Sequence, residues 1–277
     1  MTDRALLVGI NAYPGAPLAG CLNDIQDMAA TLVSDYGFKS SSIRMLVDKR
    51  ATTAAILTRL KWLVAGAKAG DRLVFHYSGH GAQVADRNNN DEIDGMDEVI
   101  CPVNFDWDEK HLIRDDKFAE LFGTVPAGVH FVWISDSCHS GSMTRELGPP
   151  PKKRKSVKGA KRPKILGSRF MPAPLDHAWR HRVATDLGHK AKGIASSAPK
   201  MNVAFISGCK DNQTSADAEF AGRPNGALTF YLLQSLKRLK GQSVTAVVEA
   251  TRAALKKAGY DQIPQIDGTL IDKPFLG

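Results

Sequence analysis

The sequence contains no run of about 18 apolar residues, so no stretch of it reads as a membrane-spanning helix. Its opening residues, MTDRALLVGI, lack the long apolar region of a secretory leader. Cysteine is sparse. Cys21, Cys101, Cys138 and Cys209 are scattered with no CxxC pair, which argues against a zinc site and against a disulfide framework. No internal repeat is visible. A soluble, cytoplasmic protein is expected, with no membrane partner. What remains is ordinary globular material: 277 residues with 43% hydrophobic content, enough for one large α/β domain or two small ones.

The net charge of +8 is not spread over the chain. Residues 149–200 carry 14 Lys and Arg against two acids, a local +12, and leave −4 for everything else. A nucleic-acid-binding domain more often spreads its basic face over a folded surface, so nucleic acid is not expected as a partner.

Two stretches have the same design. Phe131-Val132-Trp133-Ile134 is a short aromatic and β-branched run that reads as a buried strand, and Ser135-Asp136-Ser137-Cys138-His139-Ser140-Gly141 follows at once. Leu73-Val74-Phe75-His76-Tyr77 is the second apolar run, and Ser78-Gly79-His80-Gly81 follows it. In a parallel sheet both ends open at one edge, where Cys138 and His80 meet. The imidazole then takes the thiol proton and returns it to a leaving amine. Side chains two apart share a strand face, so Asp136 points with Cys138 and Ser78 with His80. A carboxylate beside the nucleophile favours a cationic residue before the scissile bond.

The pair HYSGHG and DSCHSG resembles the two signatures of metacaspases, the caspase-like cysteine peptidases of bacteria, plants, fungi and protists. The resemblance covers most of the chain outside about 149–200. It implies an α/β fold of the caspase–hemoglobinase type, with a mostly parallel six-stranded sheet flanked by helices. It also implies a peptidase cleaving after Arg or Lys in protein or peptide substrates, probed in a pocket of Cys21, Asp24, Ser78 and Asp136. Cys21 and Asp24 belong to Gly20-Cys21-Leu22-Asn23-Asp24, which matches the family's GCxND motif. The other reading of Asp24 is a carboxylate stabilised at a helix start. The other reading of Asp136 is a group that orients the His80 ring. By the caspase pattern the amides of Gly81 and Cys138 hold the oxyanion.

Residues 86–116 hold 11 acids against three bases. Asp86, Asn88, Asn90, Glu92, Asp94 and Asp97 follow an EF-hand-like spacing, but position six is Asp91 rather than glycine. Many metacaspases are calcium-activated through aspartates matching Asp97, Asp115 and Asp116. A further aspartate expected seven residues after the cysteine is Arg145 here.

In chain order, strands are expected at 5–10, 43–47, 73–77, 131–134, 202–207 and 262–266, and helices at 21–36, 52–69, 116–122, 225–239 and 243–258. The alternation implies parallel βαβ units. Residues 1–148 form a large-subunit-like portion and 201–277 a small one within one domain, expected to be a monomer. Between them 149–200, with the tract PPPKKRKSVKGAKRPK, reads as an exposed flexible linker that the enzyme cuts in itself. A signalling scaffold with the peptidase fold and little turnover is the alternative.

Overall fold

The computed structural model describes residues 1–85, 96–138, 164–174, 201–210 and 213–276. Chain order runs β1 (Asp3–Gly9), α1 (Cys21–Ser34), β2 (Ile43–Val47), α2 (Thr53–Val64), β3 (Arg72–Ser78), β4 (Gly81–Ala85), β5 (Met96–Ile100) and β6 (Ile113–Arg114). It continues with α3 (Asp115–Phe122), β7 (His130–Asp136), β8 (Lys164–Ser168), β9 (Ala204–Ser207), β10 (Ala216–Phe220), β11 (Arg223–Gly226), α4 (Ala227–Arg238), α5 (Val244–Ala258) and β12 (Gln265–Asp267).

Six strands form the central sheet in the order β12-β9-β7-β3-β1-β2, and every pairing is parallel except β12 with β9. The portions before and after 149–200 therefore share one sheet. Strand alternation sorts the core onto its two faces. Leu6, Val8, Phe75, Phe131 and Trp133 pack with Ile56 and Leu60 of α2 and Phe118 and Phe122 of α3. Leu7, Val74, Val132 and Ile134 pack with Ile25 and Met28 of α1, Leu228 and Leu232 of α4 and Val247 of α5. Burying each of these large side chains contributes about 1.5–3 kcal/mol.

Local chemistry sets the helix ends. Thr52 Oγ1 accepts from the Ala55 amide and Ser243 Oγ from the Ala246 amide, capping α2 and α5. Gly259, at φ 89°, closes α5 in the left-handed conformation that costs glycine least. Helix α2 stops at Val64, five residues short of the expected Ala69, because Gly66 turns the chain at φ 61°.

Two small antiparallel sheets, β4-β5-β6 and β11-β10-β8, stand apart from the central sheet. Neither was expected. Strand β8 corrects the reading of 149–200 as a flexible linker throughout: 164–168 is a strand hydrogen-bonded to β10. The Lys-rich tract at 149–163 and the acidic run at 86–95 lie outside the described residues, as do His139 and Arg145.

Candidate active site

The sheet register fixes the site. In the β3–β7 pair Ser78 lies opposite Asp136, an offset of 58 in residue number. His80 and Cys138 differ by the same 58 and each follows its strand by two residues. Both strands therefore deliver their polar ends to one rim.

The His80 backbone is held firmly. Its amide donates to Tyr13 Oη at 3.1 Å, and its carbonyl accepts from Tyr77 Oη at 2.6 Å. The Tyr13 ring lies 4.6 Å from the imidazole, centroid to centroid. The Nε2 of His80 bonds the Ala16 carbonyl at 2.8 Å. A carbonyl only accepts, so Nε2 carries the hydrogen and Nδ1 keeps its lone pair. Nδ1 has no hydrogen-bond partner among the described residues. Burial lowers the His80 pKa, opposed by the carbonyls of Ala16 and Arg169. The ring is thus a neutral base. Ala16 holds the orienting position that Asp136 was a candidate for, so that alternative is corrected. The loop carrying Ala16 is anchored by Asp48, whose carboxylate accepts from the amides of Asn11 and Ala12 at 2.7 and 2.9 Å.

Asp136 is engaged elsewhere. It accepts from Ser215 Oγ at 2.8 Å, from the Thr229 amide at 2.9 Å and from Thr229 Oγ1 at 2.7 Å. It also faces Arg169, whose Nη1 lies 3.2 Å from its Oδ2. The Arg169 guanidinium is fully buried among three carboxylates. Its Nη2 donates to Asp24 at 2.7 Å and to Asp217 at 3.0 Å, and its Nη1 donates to Ser78 Oγ at 2.8 Å. Burial works against the arginine's charge, but Asp136, Cys21, Asp24 and Asp217 raise its pKa well above the ordinary value. Burial raises the Asp24 pKa, and Arg169 opposes the shift. The Cys21 thiol, beside Ser78, is pushed up to about 12 by burial. It is no nucleophile there. Gly226 leaves the room: a Cβ on it would collide with Asp136 and with the Arg169 guanidinium.

The Arg169 backbone completes the arrangement. Its carbonyl oxygen accepts from the Gly81 amide at 3.0 Å and from the Cys138 amide at 3.2 Å. The Cys138 thiol donates to the Ser215 carbonyl at 3.5 Å and accepts from the Ser215 amide. The Cys209 thiol donates to the Gln213 carbonyl at 3.2 Å, and the neighbouring Cys138 together with burial pushes its pKa up. No hydrogen bond joins the Cys138 thiol to His80 among the described residues. The Cys138 amide, rather than its thiol, bonds the Arg169 carbonyl, and the same backbone group influences the His80 ring.

The metacaspase peptidase C14 family model matches residues 3–146. Over 96% of the chain, this sequence is 36% identical to Metacaspase-1 of Cryptococcus neoformans, and over 95% it is 35% identical to Metacaspase-1 of Kluyveromyces lactis. This chain belongs to the metacaspase family. It spans 62% and 65% of the length of those two relatives. Among solved structures, the metacaspase is similar to protein GSU0716 of Geobacter sulfurreducens, at TM-score 0.67 and 29% identity over 99% of this chain and 98% of that one. Caspase-1 of Spodoptera frugiperda shares the fold, at TM-score 0.58 and 9% identity over 99% and 89% of the two chains. The caspase-like α/β fold expected from the motifs is therefore the one observed.

Of the expected residues, the structure gathers Cys21, Asp24, Ser78 and Asp136 around one guanidinium, and His80, Gly81 and Cys138 around one carbonyl group. Arg169, Asp217, Ala16 and Ser215 were missed. The calcium candidates are placed differently. Asp97 is buried on β5 with the Arg114 guanidinium against its carboxylate, and Arg114 also binds Glu109 at 2.6 Å. Asp115 and Asp116 begin α3. Among the described residues no three His, Cys, Asp or Glu side chains come together to hold a metal. Among the described residues, the group against the Asp97 carboxylate is the Arg114 guanidinium.

Proposed function

We propose that this metacaspase is a cysteine endopeptidase that cleaves peptide bonds after Arg or Lys and processes itself within 149–200. One observation carries the reading. A single residue, Arg169, has its cationic side chain among Asp24, Asp136, Asp217 and Ser78 and its carbonyl oxygen on the Gly81 and Cys138 amides. A side-chain pocket matched in charge and a pair of N–H donors, spaced to engage one residue, are what hydrolysis after a basic residue requires.

On this reading a substrate carbonyl replaces that of Arg169. The Cys138 thiol turns away from Ser215 by rotation about one bond and attacks the carbonyl carbon as neutral His80 takes its proton. The two amides receive the oxyanion. The imidazolium is stabilised by the Ala16 carbonyl and gives the proton to the departing amine. Water then hydrolyses the thioester. Low-pH protonation of Asp24 or loss of Asp217 weakens the hold on the cationic side chain. Apo-state thiol–imidazole contacts are commonly longer than those of the reacting complex, so the absence of a direct bond is compatible with this sequence of steps.

Calcium enters no step of this reading. Substrates are proteins or peptides with an accessible Arg or Lys, and a monomeric, cytoplasmic enzyme belongs to the same proposal. The test is a pair of fluorogenic peptides, one ending in Arg and one in Asp, offered to wild type and to Cys138→Ala. Turnover of the Arg peptide by wild type alone is expected. A preference for Asp overturns the pocket, and equal turnover by Cys138→Ala overturns the nucleophile. No turnover of either peptide would favour the scaffold.

A further inference from the structure

Strand β8 is built unlike the others. A structural strand buries alternate side chains, but Lys164, Ile165 and Leu166 are exposed, the last two at 59% and 42%. The segment makes one deep contact, the Arg169 side chain at 0% exposure. The rest of its attachment is main chain. Residues 164–168 run antiparallel to β10, and the Arg169 amide donates to the Ser215 carbonyl at 3.1 Å. Beyond Arg169, Phe170 bridges Gly81, and the Met171 amide donates to the Gly81 carbonyl at 2.9 Å. A main-chain ladder with one side chain in a pocket is how a sheet edge captures an extended peptide. The chain passes through the site on both sides of the Arg169–Phe170 bond. With it in place, Cys138 is 0% exposed and His80 3%, leaving no room for a second peptide.

Resting on the peptidase reading, we infer that the Arg169–Phe170 bond is the one the enzyme cuts in itself, and that until it is cut this segment closes the site to other substrates. The cut falls within 149–200 but beyond the Lys-dense tract at its start. In the step, a bond forms between Cys138 Sγ and the Arg169 carbonyl carbon, and the thiol proton passes to His80. The bond to the Phe170 nitrogen breaks, and that nitrogen takes the proton. Water then hydrolyses the thioester, leaving an Arg169 carboxylate and a restored thiol. The products are 1–169 and 170–277.

The experiment incubates full-length wild type, Arg169→Gln, Arg169→Lys and Phe170→Pro, following intact mass and hydrolysis of an Arg-terminated fluorogenic peptide. Wild type should yield a fragment ending at Arg169 and one beginning at Phe170, with peptide hydrolysis rising as the intact chain disappears. Phe170→Pro keeps the pocket filled but presents an Arg–Pro bond. It should stay uncut there and hydrolyse the peptide about 10-fold or more slowly than processed wild type, given the millimolar effective concentration of a tethered ligand. Arg169→Gln should also stay uncut there, yet hydrolyse the peptide from the start. Arg169→Lys keeps a cation among the carboxylates, guards against a misfolded glutamine variant, and should be cut at the same bond. Cleavage of wild type only at other bonds would overturn the inference, as would Phe170→Pro as active as processed wild type. Either result with the Arg peptide still hydrolysed leaves the peptidase reading intact. No hydrolysis by any of the proteins, wild type included, would remove both.

Discussion

Strands β7 and β8 converge on the same point by different means. In β7, Phe131, Val132, Trp133 and Ile134 are all buried, alternately on the two faces of the central sheet. Strand β8 adds nothing to either core; its ladder to β10, an exposed Lys164–Glu219 pair and one buried guanidinium hold it. The difference separates scaffold from ligand. Removing β7 would open both cores, whereas β8 can leave with the loss of some main-chain hydrogen bonds and one cation. That cation is the costly part, since an arginine lost from buried carboxylates leaves them uncompensated.

Breaking the scaffold side of this comparison at its chemical end should have the largest effect. His80→Ala removes the general base and should lower kcat for an Arg peptide by about 10²–10⁴-fold with little change in KM, read by steady-state kinetics in the Arg169→Gln background, whose site is open without cleavage. A change confined to KM would move His80 out of the chemistry. The ligand side is probed next. Asp217→Asn removes one charged partner of the guanidinium, a loss of about 1.5–3 kcal/mol, and should lower kcat/KM by about 10–100-fold. Unchanged kcat/KM would exclude Asp217 from the pocket.

Smaller effects sharpen the picture. Burial places the folded His80 pKa below its ordinary 6.5, so the ring stays mostly neutral at that pH. The rate of self-cleavage should therefore fall by less than about two-fold from pH 8 to 6.5, and decline only as pH drops through the folded value. The same shift acts on stability. The unfolded chain binds this proton more readily, so the native state loses stability as pH falls below 6.5. A rate already falling steeply at pH 7 would contradict the buried, neutral ring. Lys164→Ala, which removes an exposed pair, should alter the self-cleavage rate by at most about five-fold and commonly not measurably, because such pairs contribute ~0–1 kcal/mol.

The same contrast explains what could be read from residues alone. Strands β3 and β7 were legible because apolar runs ending in small polar residues leave a pattern, and equal offsets place Ser78 with Asp136 and His80 with Cys138. Cys21 and Asp24 were legible through a motif at the start of α1. Arg169 was hidden by its own neighbourhood: in a segment of 14 cations, composition cannot distinguish the one that is buried. Asp217 sits in the short strand Ala-Asp-Ala-Glu-Phe, far along the chain from its partners, with no turn or glycine signature of a site. Ala16 acts through its carbonyl, which any residue would supply, so its identity carries no signal. The strands of the two small sheets were obscured in turn by acidic, basic and Gly/Pro-containing residues that contradict strand propensity.

The most direct test of the account is covalent labelling of the processed enzyme with a peptidyl chloromethyl ketone ending in Arg, compared with one ending in Asp, followed by peptide mapping. The account predicts a thioether at Cys138 with the Arg reagent and almost none with the Asp reagent. Labelling at Cys21, Cys101 or Cys209 instead, or a preference for the Asp reagent, would contradict it.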